Sequence, residues 1–586
     1  MTPSSNQGIG TFSATGNFDA KGNVMSLLYG DNYKGQIDLT EKPYAFYQLF
    51  YNNTKVINAK KLSLPATTLN YSCYYYMFTS CTSLTSAPST LPATTLTDSC
   101  YAGMFRGCTA LTSAPELLAT TLANSCCSNM FQGCTSLTTP PELPATTLAN
   151  YCYSFMFEGC TSLTSAPSLP ATTLVYSCYQ NMFYSCTALT TPPSLPATTL
   201  SSYCYSSMFR DCTSLTSAPS LPATTLASNC YDSMFYGCTS LTTLPSTLPA
   251  TTLANSCCSN MFQGCTSLTS APELPATTLA NYCYYYMFFN CTSLTTPPST
   301  LPATTLADYC YAYMFQGCTS LISTSTLSAT TLADHCYYFM FYGCISLTTA
   351  PSLPATTLAS WCYAYMFQSC TSLTTPPELP ATTLADYCYN GMFYSCTSLT
   401  AAPELPATTL VSNCYQYMFR GCTKLTSAPS LSATTLSSYC YYSMFYNCTS
   451  LTTAPELPAT TLASNCYNGM FRGCTSLTTP PSTLPATTLT IYCYYYMFYG
   501  CTKLTTAPTL PATTLVSSCY DSMFQSCKLL TYIKAMFTTT PSSSYTGSWV
   551  RGVASTGTFV KNSAAIWNVP GDNGIPSGWT VETASN

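Results

Sequence analysis

The residues best equipped for chemistry in this chain are its 38 cysteines, and their placement is regular. One stands four residues before a Met-Phe pair and one three residues after it, as Cys152 and Cys160 stand around Met156-Phe157. Thiols in such numbers point to disulfides, to zinc, to a nucleophile or to a packed interior. Eight residues of helix would hold Cys152 and Cys160 about 12 Å apart, whereas a disulfide needs Cα atoms within roughly 7 Å. Equivalent cysteines on neighbouring helices would face each other at about 8–10 Å, again too far. Zinc lacks its pattern, with no histidine beside the thiols and no close Cys-x-x-Cys pair. A nucleophile needs a positioned base, and the only histidine, His335, falls where neighbouring units carry Tyr309 and Trp361, a place for a solvated side chain. Buried free thiols acting as small apolar groups are the expectation. Carboxylates offer the remaining enzymatic option. Glu116, Glu142, Glu273, Glu378, Glu404 and Glu456 recur after a proline, and Glu378 with Glu404 could present the pair that a glycosidase uses. Carboxylates repeated on a turn are ordinarily solvated, so the chain is expected to be no enzyme and to need no cofactor or metal.

The spacing of these residues belongs to a repeat. Met-Phe phenylalanines at 78, 105, 131, 157, 183 and onward to 524 mark about eighteen units of about 26 residues. Four units are longer by one residue, with Ser-Thr-Leu-Pro at 89–92, 246–249, 299–302 and 482–485, an insertion expected in a surface loop. Within a unit, Leu148, Cys152, Met156 and Cys160 recur at i, i+4, i+8 and i+12, which predicts a helix capped by Thr146 and Thr147 and stopped near Gly159. Ser162 to Pro167 reads as a short strand with Leu163 buried. Strands at about 4.8 Å and helices at about 10 Å would force the array to curve into an arc or superhelix. The expected fold is therefore an α/β solenoid like that of leucine-rich repeats. A helix-free β-solenoid, suggested by the many Tyr and Thr, ranks second because of the Leu, Cys, Met, Cys row.

The array is expected over 64–530, between a β-rich N-terminal cap (1–63) holding a decayed unit at Ala45 to Val56 and a β-rich C-terminal cap (531–586) containing Trp549, Phe559, Trp567 and Trp579. Charged residues make up only 6% of the chain, with most lysines outside the array, so no basic stripe is available for nucleic acid. No apolar run is long enough to span a bilayer. Met1 to Gly10 lacks the basic start and apolar core of a secretory signal. An extracellular or cell-surface protein would then be a fragment missing its targeting segment, and the alternative is a virion component.

The core Met156-Phe157-Glu158-Gly159-Cys160-Thr161-Ser162-Leu163, followed by Leu-Pro, resembles the repeats of BspA-like leucine-rich repeat proteins, whose pattern is Ala-Phe-x-x-Cys-x-x-Leu and then Ile-Pro. The resemblance covers about four fifths of the chain, in register throughout. Met replaces the family's Ala, an extra Cys precedes it, and Thr-Ser-Ala-Pro lacks the family's strand isoleucine. The resemblance implies a surface or secreted adhesion protein, similar arrays occurring in phage genes.

Variable positions, the equivalents of Asn150, Tyr151, Ser154, Phe155 and Glu158, fall on the arc of the expected helix opposite the constant ones. One position carries Tyr184, Tyr236, Phe289, Tyr342, Tyr394, Tyr446 and Tyr499, alternating with Arg106, Arg210, Arg420 and Arg472. Neighbouring positions carry Tyr313, Tyr365, Tyr417 and Trp361, otherwise mostly Ser, Asn, Gly or Asp. That mixture is similar to antibody paratopes, so these residues are the expected contact surface for a cell-surface glycan or a protein partner. The alternative is a spacer or fibre protein that self-associates laterally through exposed aromatics. For the cysteines, the native protein is expected to resist thiol labelling and to ignore reductant, while denaturation exposes nearly all of them. Cys160→Ser, leaving a buried hydroxyl unpartnered, is expected to cost about 1–3 kcal/mol. A fall of tens of degrees in melting temperature under reductant alone would show bridged thiols instead.

Overall fold

Ten consecutive residues of each turn form neither helix nor strand. In the computed structural model, which describes residues 9–584, the segment Tyr151 to Cys160 folds as a run of tight turns. Cys152, Ser154, Met156, Glu158 and Cys160 each donate their N–H to the carbonyl three residues back, at 3.0–3.3 Å. The residues between them, Tyr151, Tyr153, Phe155, Phe157 and Gly159, donate instead to the next turn of the solenoid, at 2.7–3.1 Å, for example Phe157 to Met182. To alternate in this way the backbone enters the left-handed region at every fourth residue: Tyr151 (φ 57°), Phe155 (φ 57°) and Gly159 (φ 70°).

The expected helix is thus overturned, and the β-solenoid ranked second is the architecture present. The chain forms about nineteen turns of about 26 residues, and only about 2% of it is helical. The period explains the misreading. Each step of i+4 drifts by about 40° on a 3.6-residue helix, so after three steps Leu148 and Cys160 would end about 120° apart. On a spiral with four residues per turn they form a straight row. Composition agrees, because Thr, Ser, Asn, Tyr and Cys are all mediocre helix formers and Ala, Glu and Lys are scarce in the segment. The mismatch of helix and strand widths also disappears. The turn segments are hydrogen-bonded from one turn to the next and share the spacing of the strands.

Contacts divide the chain into two units, Met1–Leu294 and Thr295–Asn586. In the first, β1 (Phe18–Asn23) pairs in parallel with β2 (Val56–Ser63), and short helical turns at Ser26–Tyr29 and Gly30–Tyr33 follow β1. The decayed unit forms a turn of the same geometry, Phe50 donating to Met77 and stacking on Phe78 at 5.0 Å. The segment after each turn spiral makes only isolated parallel bridges, such as Ser165 with Thr191, and not a continuous strand. Two of the longer repeats do better. Thr90–Leu91 (β3) pairs with Glu116–Leu117 (β4), and in the second unit Thr300–Leu301 (β5) pairs with Thr326–Leu327 (β6). The inserted residue therefore extends the ladder where a loop was expected. The second unit closes on a parallel sheet of β7 (Tyr532–Ala535), β8 (Thr558–Lys561) and β9 (Thr580–Thr583), with a short helix at Ser543–Thr546. Between β7 and β8 lies one more turn spiral, in which Trp549 takes the phenylalanine's place and accepts from the N–H of Phe524.

Identical side chains stack into ladders inside each unit. Ring centres are 5.4–5.7 Å apart from Phe78 to Phe288, and 5.5–5.8 Å apart from Phe315 to Phe524. The offset from the ~4.8 Å strand spacing is the displaced stacking that aromatic rings prefer. All 38 cysteines are free and buried. Burial pushes the Cys134 thiol up to about 12, so it stays protonated and inert. The second cysteine of each unit also has a hydrogen-bond partner, Cys160 Sγ donating to the Phe131 carbonyl at 3.1 Å. The unpartnered hydroxyl expected of Cys160→Ser is corrected accordingly: an acceptor is in place, so the penalty falls toward that of shape change alone.

Tyrosines form a parallel ladder, Tyr153 to Tyr179 at 6.0 Å and onward. Cys127 and Cys258 interrupt it. At Cys258 an apolar gap opens, lined by Leu226, Tyr231, Leu248, Leu253 and Tyr284 among others. Cys258→Tyr is expected to fill the gap and raise stability by ~0.5–2 kcal/mol, read as a higher denaturant midpoint with unchanged thiol protection. A lowered midpoint would mean that the site is too small for the ring.

Candidate functional site

The outward positions of the turn spiral are the equivalents of Tyr151, Phe155 and Glu158, and the first two are left-handed. Much of the small polar composition there follows from the backbone. Asn229, Asn413 and Asn465 (φ 55–59°) take the first position, and Gly103, Asn129, Asn181, Gly391 and Gly469 (φ 53–62°) the second. Gly103 and Gly391 do more. The ring of Tyr76 lies over Gly103 and that of Tyr365 over Gly391, in space that a Cβ would occupy.

Where aromatics fill these positions they stack along the solenoid. In the second unit Tyr309, His335, Trp361 and Tyr387 form one column, with centres 4.4, 5.7 and 4.1 Å apart and planes within 9°. Tyr313, Phe339 and Tyr365 form a second, at 5.4 and 4.8 Å. Tyr338 stands between the columns, edge-on to Tyr313, His335, Phe339, Trp361 and Tyr365. Trp361, Tyr313 and Tyr365 are among the residues expected from the sequence, whereas Phe339 and Tyr338 are brought beside them only by the four-residue period. His335 is corrected from solvated to half-buried, sandwiched between Tyr309 and Trp361.

The third position carries the alternating Tyr and Arg residues, and the structure brings most of them together. Arg420 places its guanidinium carbon 5.3 Å from the Tyr394 ring centre and 4.4 Å from that of Tyr446, with Tyr417 at 5.1 Å on its flank. Arg472 lies 5.4 Å from Tyr446 and 4.7 Å from Tyr499. In the first unit Arg210 lies 5.7 Å from Tyr184 and 4.2 Å from Tyr236, and 3.7 Å from the Asp211 carboxylate. These distances are in the cation–π range. Arg106 stands apart and exposed, where it acts on Glu158 only through its charge. Phe289 and Tyr342 pack edge-on against Tyr286 and Phe339. Because ring faces along the columns are covered by their neighbours, ring edges, hydroxyls and clamped guanidinium groups are what the surface presents.

Electrostatics adds little that resembles catalysis. Burial raises the Glu158 carboxyl, against the hydrogen bond from Gln132 and the charge of Arg106. Burial raises the Tyr365 phenol to about 12. Of the glutamates that follow a proline, Glu116 accepts from the Thr90 hydroxyl and Glu456 from the N–H and hydroxyl of Ser482, in both cases on an adjacent turn. Among the described residues, no group of three or more His, Cys, Asp or Glu could hold a metal ion, and no helix is long and apolar enough to cross a membrane.

A solenoid of stacked turn spirals with side-chain ladders inside and mixed Tyr and Arg columns outside defines a leucine-rich-repeat-like array. The family model for the BspA type leucine rich repeat region matches residues 124–261, 177–321, 228–374, 339–478 and 442–548, well over half of the chain, and the protein belongs to that family. No curated protein and no solved structure matches it.

Desolvation lowers the His335 imidazole below its ordinary 6.5, against the raising effect of Asp334 and Asp308. The folded protein then binds this proton less readily than the unfolded chain, so acidification through the ordinary histidine range destabilises the stack. As the only histidine, its NMR titration is unambiguous: a midpoint below 6.5 is expected, rising toward 6.5 in a Trp361→Ser variant. A wild-type midpoint at or above 6.5 would contradict the sandwich.

Proposed function

We propose that this protein is a non-enzymatic recognition protein, working outside a cell or at its surface, whose Tyr and Arg columns engage a partner. Membership of the BspA type family, commonly surface adhesion and recognition proteins, supports the class. The observation that carries the reading is the column Tyr394, Arg420, Tyr446, Arg472 and Tyr499, in which rigid aromatics hold otherwise unpaired cations at fixed spacing. Pre-organised Tyr and Arg contribute contact area and charge at small entropic cost. Covered ring faces favour a protein partner, met by ring edges and hydroxyls, over a glycan, which stacks on open faces. In this reading residues 1–63 and 531–586 close the ends of the array.

A triple variant, Tyr394→Ser, Tyr446→Ser and Tyr499→Ser, releases both arginines and is expected to weaken binding to target cells by about tenfold or more, with thiol protection intact. Loss of binding after protease treatment of the cells would point to the protein partner, and loss after glycosidase treatment to a glycan. Undiminished binding by the variant would remove this column from the interface. The second reading, a spacer or filament subunit of a surface or a virion, draws on β9, all four of whose residues are exposed along an open sheet edge. Ordered polymers of the purified protein in electron micrographs would favour it.

A further inference from the structure

One surface feature does not vary among the Met-Phe units. All eighteen units read Ala-Thr-Thr-Leu, from Thr67-Thr68 to Thr513-Thr514, and both threonines are exposed in each. Exposed positions elsewhere in the unit drift, as Ser165, Thr191 and Ala401 do at one equivalent place. The second threonines are bridged in parallel register, Thr95 with Thr121 and Thr121 with Thr147, Thr173 with Thr199, and Thr225 with Thr252 and Thr252 with Thr278 in the first unit, and Thr305 with Thr331 in the second. They therefore repeat at the strand spacing of about 4.8 Å.

Internal bonding does not account for the choice of threonine. Two other threonine columns use their hydroxyls inside the solenoid: Thr135 donates to the Thr109 carbonyl and Thr161 to that of Thr135, while Thr112 and Thr138 donate to Thr85 and Thr112. Among the described residues, hydroxyls of the Thr-Thr pairs make one such bond, Thr120 to the Thr94 carbonyl at 3.5 Å. A ladder position alone would accept Val or Ile equally. What the pairs share is a hydroxyl and a methyl held outward by a rigid frame.

We propose that the Thr-Thr ladder is a binding face for ice. A single molecule is recognised by convergent polar groups in a concavity, whereas this face is one uncharged pair repeated at one spacing, the complement of a lattice. The first unit carries nine consecutive pairs (Thr67 to Thr278), and the residues following Thr147, Thr173, Thr199 and Thr225 up to the next cysteine are all uncharged. Many weak contacts must act together to hold a crystal face, which a long in-register ladder supplies. This assignment is independent of the Tyr and Arg columns, which occupy other positions of the turn.

The test is thermal hysteresis and inhibition of ice recrystallisation by the purified full chain. Activity is expected in the native protein. Most of it should be lost in a variant carrying Thr147→Lys, Thr173→Lys, Thr199→Lys and Thr225→Lys. A second variant with Val at the same four positions keeps the β-branch, so a loss there, with thiol protection unchanged, separates surface from fold. Ser165→Ala with Thr191→Ala, at exposed positions outside the pairs, should leave the activity as it was. Absence of activity in the native protein, or activity untouched in both threonine variants, overturns the proposal. So does binding to crystalline cellulose that depends on these threonines without any effect on ice, which would assign the ladder to a polysaccharide lattice.

Discussion

The rest of this structure depends on a division of labour between consecutive N–H groups: one bonds within the turn and the next bonds to the turn after it. A helix spends every N–H inside itself and leaves its neighbours to side-chain packing, while a strand spends them all outside. The alternating spiral does both, and the left-handed residue at every fourth position is the geometric consequence. A non-glycine residue there costs roughly 1–2 kcal/mol, while each of the inter-turn bonds contributes a net ~0.5–1.5 kcal/mol. Ring stacking along the Phe and Tyr ladders tips the balance, because the same spacing that satisfies the hydrogen bonds brings identical rings to 5.4–6.0 Å.

Much of this was legible in the sequence. The repeat, its length and the buried rows follow from residue spacing, and the free thiols were expected, although for a partly wrong reason: the distances invoked were those of packed helices. What was not legible was the local backbone. A row at i, i+4, i+8 and i+12 satisfies a coarse test for helical periodicity, and only its failure to slip by one residue over Leu148 to Cys160 separates a four-residue spiral from a 3.6-residue helix. The second signal lay in the variable positions. Asn and Gly at Asn229 and Gly391 belong to the expected contact arc as adaptable chemistry, but both residues have positive φ. The turn around Trp549 had no signal, since Trp replaces the Met-Phe signature and no cysteine accompanies it.

The aromatic columns gain a structural role from the scarcity of charge. Arg420 and Arg472 have tyrosine rings on both sides where a typical surface would offer carboxylates, and a half-buried guanidinium between two rings is held more firmly than in an exposed ion pair. Neutral His335 between Tyr309 and Trp361 follows the same logic with a weaker partner. Such columns are rigid by construction, since moving one ring uncovers two others, and that rigidity distinguishes them from unconstrained surface tyrosines.

Variation in length is confined to one segment of the unit, and the reason is mechanical. Phe235 and Phe262 are 27 residues apart, yet their rings stack at 5.5 Å, as do those of Phe209 and Phe235 at the usual 26. The extra residue at Ser246 to Pro249 is absorbed in the segment before Leu-Pro, where Thr247 gains a bridge to Glu273. An insertion between Tyr231 and Cys238 would instead shift every later N–H from one role to the other, sending bonds meant for the next turn back into the spiral. The turn spiral therefore admits substitution but not a change of length, while the segment before Leu-Pro admits both. The exposed Thr-Thr pair lies outside the spiral, where the backbone would tolerate change, so its constancy has to come from what the side chains do.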